Sequence, residues 1–202
     1  STLVDPSVLP QAEGYLLGKP DAPVQVLEFA DFECPACGQF YVLTEPDVRT
    51  RLIDTGEISY RFFDYPLPGH RNTWAASHAA ACANEQGKFW EMHDRIFMGQ
   101  DQWNGEATSR PKGVFEDYAK AIGLDVGKWE QCFDDQRYLK NIQANKAEGE
   151  RRMVGSTPTF IIGSRMIPGS IGFDKFKAYV DSAKAEAGVA SAAAPAEIPV
   201  AK

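Results

Sequence analysis

Val24-Gln25-Val26-Leu27-Glu28-Phe29-Ala30-Asp31-Phe32-Glu33-Cys34-Pro35-Ala36-Cys37 is the stretch that decides the fold. Val24 to Ala30 is an apolar run of buried-strand length, and it leads straight to a Cys-x-x-Cys. A helix-like pattern begins directly afterwards. Cysteines three apart at a helix start can close a small disulfide ring. Backbone N–H groups at that helix end, together with the helix dipole, favour a thiolate at Cys34. The thiolate is the attacking or leaving group of thiol–disulfide exchange. The stretch therefore reads as a redox site. Cys34 is its nucleophile, and Cys37, one turn inside, is the resolving cysteine that breaks a mixed disulfide.

Upstream, residues 1–20 are rich in Pro and Gly and read as a lead-in, with a short edge strand near Tyr15-Leu16-Leu17. Lys19–Pro23 is a turn. Downstream, Phe40, Tyr41, Leu43, Val48, Leu52 and Ile53 recur at helical spacing. Pro46 is expected to kink or break that helix, because it removes a backbone donor. After Gly56, Ile58, Tyr60 and Phe62 alternate with polar residues in a second strand over Glu57–Phe63. Strand, helix, strand in one sheet is a parallel, right-handed βαβ unit.

From Pro66 to about Met153 the pattern is helical. It opens with an Ala-rich helix from Trp74, followed by an apolar stripe of Phe89, Trp90, Ile96 and Phe97. Residues 99–112 read as a loop. Val114, Phe115, Tyr118, Ala119 and Ile122 share the next helical face, capped by Gly123. A short helix carries Trp129, Cys132 and Phe133, and a polar one covers 136–152. Strand signal returns at Thr159–Ile162, turns at Gly163-Ser164 and answers in Arg165–Pro168, a hairpin. A last helix buries Phe173, Phe176, Val180 and Ala183 and ends at Gly188, leaving 189–202 as a low-complexity tail. The expected fold class is α/β. A βαβ half over 1–65 and a ββα half over 154–188 make the thioredoxin arrangement, and a helical lobe over 66–153 is inserted between them.

A chain of 202 residues, 44% hydrophobic and 11% aromatic, can build a real core. Its net charge of -7, from 21 basic and 28 acidic residues, and its lack of a basic run argue against a nucleic-acid partner. No apolar segment reaches the length of a membrane span. No basic-then-apolar leader stands at Ser1, as expected of a processed mature form or a trimmed chain. Zinc would need further ligands, and no second Cys-x-x-Cys or His pair at ligand spacing exists. His78 and His93 read as helix-surface or satisfied core residues, and His70 follows a Pro-Leu-Pro-Gly turn; no role is assigned to them.

Glu28, six residues before Cys34, is expected to be partly buried with a raised pKa, and to accept or deliver the proton of Cys37. Thr157-Pro158 precedes a strand, and X–Pro bonds are the ones that go cis cheaply. A cis-proline there leaves the backbone N–H and C=O of Thr157 free to pair with an extended substrate peptide. Phe32, Pro66 and Leu67 are expected to line a shallow apolar groove beside the cysteines. Trp74, Phe89, Trp90, Trp103 and Trp129 read as core of the helical lobe. Cys82 and Cys132 read as a structural disulfide, a second redox pair or two buried thiols.

Phe32-Glu33-Cys34-Pro35-Ala36-Cys37 resembles the active site of DsbA-like thioredoxin-fold proteins, as do Ala81–Trp90 and Gly155–Phe160 around it. The likeness runs over residues 18–187 in the same order. It implies a bacterial thiol–disulfide oxidoreductase of the cell envelope, periplasmic or otherwise extracytoplasmic, whose signal sequence is not in this chain. It implies no cofactor beyond the Cys34–Cys37 disulfide, and Pro158 as the cis-proline facing that pair. Pro35, Ala36, Thr157 and Pro158 would meet substrate. It also supports an acidic residue at the position of Glu28, and makes Cys82–Cys132 a structural bridge. Partners are substrate proteins with thiols or disulfides, and a membrane redox partner that resets the site. With no dimerisation segment of the isomerase kind, a monomer is expected. The histidine that the strongest oxidants carry at the position of Ala36 is missing. A reductase or isomerase is therefore the first alternative, and a peptide-binding, chaperone-like module the second.

Overall fold

The computed structural model describes residues 8–193. Its centre is β2 (Val24–Ala30), flanked by a parallel β3 (Ile58–Asp64) and an antiparallel β4 (Thr159–Ile162). β1 (Tyr15–Leu17) closes one edge against β3, and β5 (Arg165–Pro168) closes the other against β4. The five strands run β1-β3-β2-β4-β5. This is the mixed sheet of a βαβ unit joined to a β-hairpin and a helix.

Side chains alternate across β2, so Val24, Val26 and Glu28 share one face and Leu27 and Phe29 the other. The first face packs with α1 (Pro35–Leu43) and the C-terminal α9 (Phe173–Ala193) around Phe40, Tyr60, Phe160 and Phe176. Each of these rings is fully buried, and burying a side chain of that size is worth about 2–3 kcal/mol. The opposite face packs Phe29, Phe63 and Tyr65 near α8 (Leu139–Arg151). Gly149 lets α8 lie close, since a Cβ there would fall 2.6 Å from the Tyr65 ring.

The helical lobe comprises α3 (Thr73–Asn84), α4 (Phe89–Met98), α5 (Gln100–Trp103), α6 (Lys112–Ala121), α7 (Val126–Asp134) and α8. Its core includes Met92, Ile96, Trp103, Phe115 and Trp129, and continues into Phe32, Cys34 and Cys37. The cysteine pair therefore sits on the seam between the sheet and the lobe.

Two expectations need correction. The segment 99–112 is not all loop: α5 forms there because Trp103 drops into the lobe core and its indole N–H reaches Ile96 O at 2.8 Å. The last helix does not end at Gly188 but is described to Ala193, so the first residues of the supposed tail are helical. Residues 194–202 and 1–7 lie outside the described ones. Pro46 does interrupt the first helix. α1 stops at Leu43, a short α2 (Glu45–Val48) holds Pro46 in its first turn, where no donor is needed, and a π-helical turn (Arg49–Ile53) follows.

Candidate active site

Cys34 is the N-cap of α1 and Pro35 its first residue, a position that suits a proline because its N–H would be unpaired there. The turn is set by Cys34 N–H donating to Asp31 O at 3.0 Å and Gly38 N–H donating to Cys34 O at 3.1 Å. Both thiols are free; Cys34 is 7% exposed and Cys37 1%. Pro35 is exposed and Ala36 half-buried beside them. Across the cleft, the Thr157–Pro158 bond is cis, and the Cys34 thiol donates to Thr157 O at 3.5 Å. That carbonyl is thus not free while Cys34 is a thiol, contrary to the sequence reading. The Thr157 hydroxyl is buried without a hydrogen-bond partner among the described residues while Cys34 is a thiol, and it is the Thr157 group that can donate to the Cys34 thiolate.

The two cysteines titrate in opposite directions. Cys34 is lowered to about 6, first by the Cys37 thiol donating to it, with Thr157 and the backbone N–H groups of Cys37 and Ala36 adding against the cost of burial. Cys37 is pushed well above an ordinary thiol by burial, then by its hydrogen bond to Cys34 and by the Cys34 charge. Beneath them lies Glu28, more deeply buried than the sequence suggested, at 2% exposure. Burial, then the neighbouring Glu45 charge, raise its carboxyl to about 8, against the Tyr60 hydrogen bond.

Several groups at the site escaped sequence reasoning. Asp31 is fully buried as a side chain and accepts from Glu33 N–H, Leu67 N–H, the Thr73 hydroxyl and the His70 ring at 2.6–2.8 Å. Its place between strand and Cys-x-x-Cys was the only signal. Gln100 of α5 donates its amide to Phe32 O at 2.7 Å and to Cys34 O at 3.0 Å, tying the lobe to the redox turn. No sequence signal links positions so far apart. Phe32 and Pro66 do not line a groove. Phe32 is fully buried against Phe62 and Phe97, and Pro66 is buried too. Of the aromatics assigned to the lobe core, Phe89, Trp103 and Trp129 are buried, whereas Trp74 and Trp90 are half-buried.

Cys82 of α3 and Cys132 of α7 are joined, with Cα atoms 5.8 Å apart, so of the three readings left open the structure holds the bridge. Among the described residues, Glu45, His93 and Asp94 come within metal-ligand separation of one another. The Arg49 guanidinium already fills them, bonding Glu45 at 2.8 Å and both Asp94 oxygens at 2.6 and 3.0 Å. They form an ion-pair cluster rather than a cation site.

Residues 11–182 match a family model described as Thioredoxin. A Na(+)/H(+) antiporter NhaA 3 of Salinispora tropica is 36% identical over 174 residues, which is 86% of this chain and 25% of that protein. The chain thus spans about a quarter of the length of the antiporters it matches. Disulfide bond formation protein D of Bacillus subtilis is 25% identical over 82% of this chain and 75% of that one. In shape, alpha-DsbA1 of Wolbachia pipientis superposes with a TM-score of 0.78 at 23% identity, over 92% of this chain and 98% of that one.

Proposed function

Because its residues 11–182 place this chain in the thioredoxin family, we propose that it is a thiol–disulfide oxidoreductase that forms disulfides in other proteins through Cys34 and Cys37. The observation that carries the reading is the unequal pair. Cys34, at the mouth of the site and on a helix N-terminus, is a good leaving group, while Cys37 is sealed beneath it.

A substrate thiolate attacks Cys34 of the oxidised pair. The new sulfur–sulfur bond forms as the Cys34–Cys37 bond breaks, and Cys37 takes a proton. Glu28, still protonated at neutral pH, is the donor beside it. The substrate's second thiolate then attacks the substrate sulfur of the mixed disulfide and expels Cys34, which leaves as a stabilised thiolate. Two electrons have passed from substrate dithiol to the pair. The N–H of Thr157, next to cis-Pro158, pairs with an extended substrate strand, and the exposed Pro35 and half-buried Ala36 form the near wall.

The low Cys34 pKa favours the reduced form, which supports the oxidising direction over the reductase alternative. The reading includes proteins with free thiols as substrates, a membrane redox partner that restores the disulfide, and an extracytoplasmic location. The Cys82–Cys132 bridge supports the last, since structural disulfides persist in oxidising compartments.

In the reduced protein, iodoacetamide is expected to modify Cys34 with a half-maximal rate near pH 6 and to spare Cys37. The potential against glutathione is expected nearer the strong-oxidant value of about −120 mV than the thioredoxin value of about −270 mV. A Cys34→Ser protein that still oxidises a dithiol peptide at the wild-type rate would end the reading.

A further inference from the structure

The His70 ring was left without a role by its sequence, yet it stands at the mouth of the site. Its Nδ1 donates to Asp31 Oδ2 at 2.8 Å, which turns the Nε2 edge of a 28% exposed side chain outward. His70 and Pro35 line one polar cleft, together with Glu33, Arg71, Gln100 and Glu106. Asp31 is anchored three residues before Cys34, and its backbone carbonyl holds the Cys34 N–H. The redox turn and the imidazole therefore hang on the same aspartate.

We propose that His70, held by Asp31, is a positioning residue that supplies a positive charge beside Cys34 and so stabilises the thiolate of the reduced pair. The proposal rests on the exchange reading given above. Ala36 and Pro35 offer no charge of their own. The titratable and charged groups facing His70 are Asp31 and Glu33 from the redox turn, Arg71 from its own loop and Glu106 from the segment after α5; Cys34, next to the cleft-lining Pro35, is near enough for its charge to reach the ring. The Asp31 carboxylate is saturated by its four donors, and Glu33 accepts from Asn72 N–H at 2.7 Å and Gly105 N–H at 2.6 Å. Of this set, only Cys34 changes charge when the pair changes redox state. Burial opposes charge on the ring, but the Asp31 hydrogen bond, followed by the charges of Asp31, Glu33 and Cys34, outweighs it and raises His70 above an ordinary imidazole.

When a substrate dithiol reduces the pair, two electrons move onto it and the substrate gains a disulfide. Of the two thiol protons, one ends on Cys37 and one leaves to solvent, so Cys34 is left as an anion within reach of the imidazolium charge. In the oxidised pair the disulfide is neutral and the imidazolium has no such partner. The charge therefore favours reduction of the pair and makes the protein a stronger oxidant. Linkage demands the converse, that reduction raises the affinity of His70 for its proton.

The test follows the three histidine rings by NMR through a pH titration of the oxidised and reduced protein, beside the Cys34 titration of wild type and His70→Asn. Asn places its Nδ2 near the position of Nδ1 and can keep the bond to Asp31 without the charge. His70 should hold its proton to higher pH in the reduced protein, and this difference should vanish in Cys34→Ser. His70→Asn should alkylate about threefold more slowly at pH 5, with a threefold less oxidising equilibrium against glutathione, roughly 14 mV at 29.6 mV per decade. His70→Lys should recover part of both. An active wild type in which His70 titrates identically in both redox states, and in which His70→Asn matches wild type, overturns this proposal alone. A wild type that exchanges no disulfide overturns the exchange reading and this proposal with it.

Discussion

The Tyr60 hydroxyl donates a 2.7 Å hydrogen bond to Glu28 Oε2, in the layer directly beneath the redox turn. Tyr60 sits on β3 opposite Val26, two residues along β2 from Glu28, so both side chains point to the same face of the sheet. The bond orients the carboxyl but does not make it acidic, because burial and Glu45 outweigh it and hold Glu28 at about 8.

That position fixes a pH dependence. The native state keeps a proton on Glu28 that the unfolded chain loses near the ordinary glutamate value of about 4.3. Stability from this group is therefore fully present below that value and is lost as pH rises to about 8. Denaturant midpoints of the reduced protein should fall between pH 5 and pH 8.5 by the equivalent of a few kcal/mol, and Glu28→Gln should flatten the curve. The same variant should slow dithiol oxidation about 10- to 100-fold, at or below the low end of what a positioned proton donor contributes. A Glu28→Gln protein with the wild-type pH slope would show that the carboxyl is already ionised at neutral pH.

The Gln100 side chain clamps the helical lobe to the redox turn. The Gln100 amide holds Phe32 O and Cys34 O, and a Cβ added at Gly38 would lie 2.8 Å from Gln100 Oε1. Gln100→Ala should cost about 1–3 kcal/mol, the range for leaving the part-buried Phe32 carbonyl unpaired, since Cys34 O keeps the bond from Gly38 N–H. Gly38→Ala should be costly in wild type and nearly neutral once Gln100 is gone, because the clash is with that one side chain. A double-mutant cycle on denaturant midpoints checks this, and additive effects would remove Gln100 from the clamp.

The periodicities of the sequence reach the strands, the order of elements and the helix break at Pro46, because each is set by neighbours along the chain. Val24–Ala30 is apolar enough to read as a buried strand, and Pro35 suits the first position of a helix. What stayed illegible was long-range and polar. Gln100 is 66 residues from Cys34, and the carbonyls it reaches carry no residue identity. His70 and Asp31 meet only when the loop before α3 folds back over the redox turn. Phe32 is expected from the sequence to line an apolar groove beside the cysteines, yet α4 presents Phe97 to receive it. A tertiary contact overrode a local expectation there.

The Cys82–Cys132 bridge closes a separation of 50 residues between α3 and α7. Cross-linking a loop of that length removes about 4 kcal/mol of unfolded-state entropy in the simplest treatment. The two helices are also held without it: Trp129 is fully buried and its indole N–H donates to Ala79 O at 3.0 Å. The joint Cys82→Ala, Cys132→Ala variant should therefore still fold, with stability lower by about 2–4 kcal/mol and an unchanged far-UV spectrum. Its lobe core would also lose two buried sulfurs, so the variant should be compared with reduced wild type to separate the covalent link from packing. Exchange through Cys34 should stay within about twofold of wild type, since the bridge touches none of the groups that titrate with the pair. A variant as stable as wild type would make the bridge dispensable to the lobe, and one that folds but no longer exchanges disulfides would make it part of the redox chemistry.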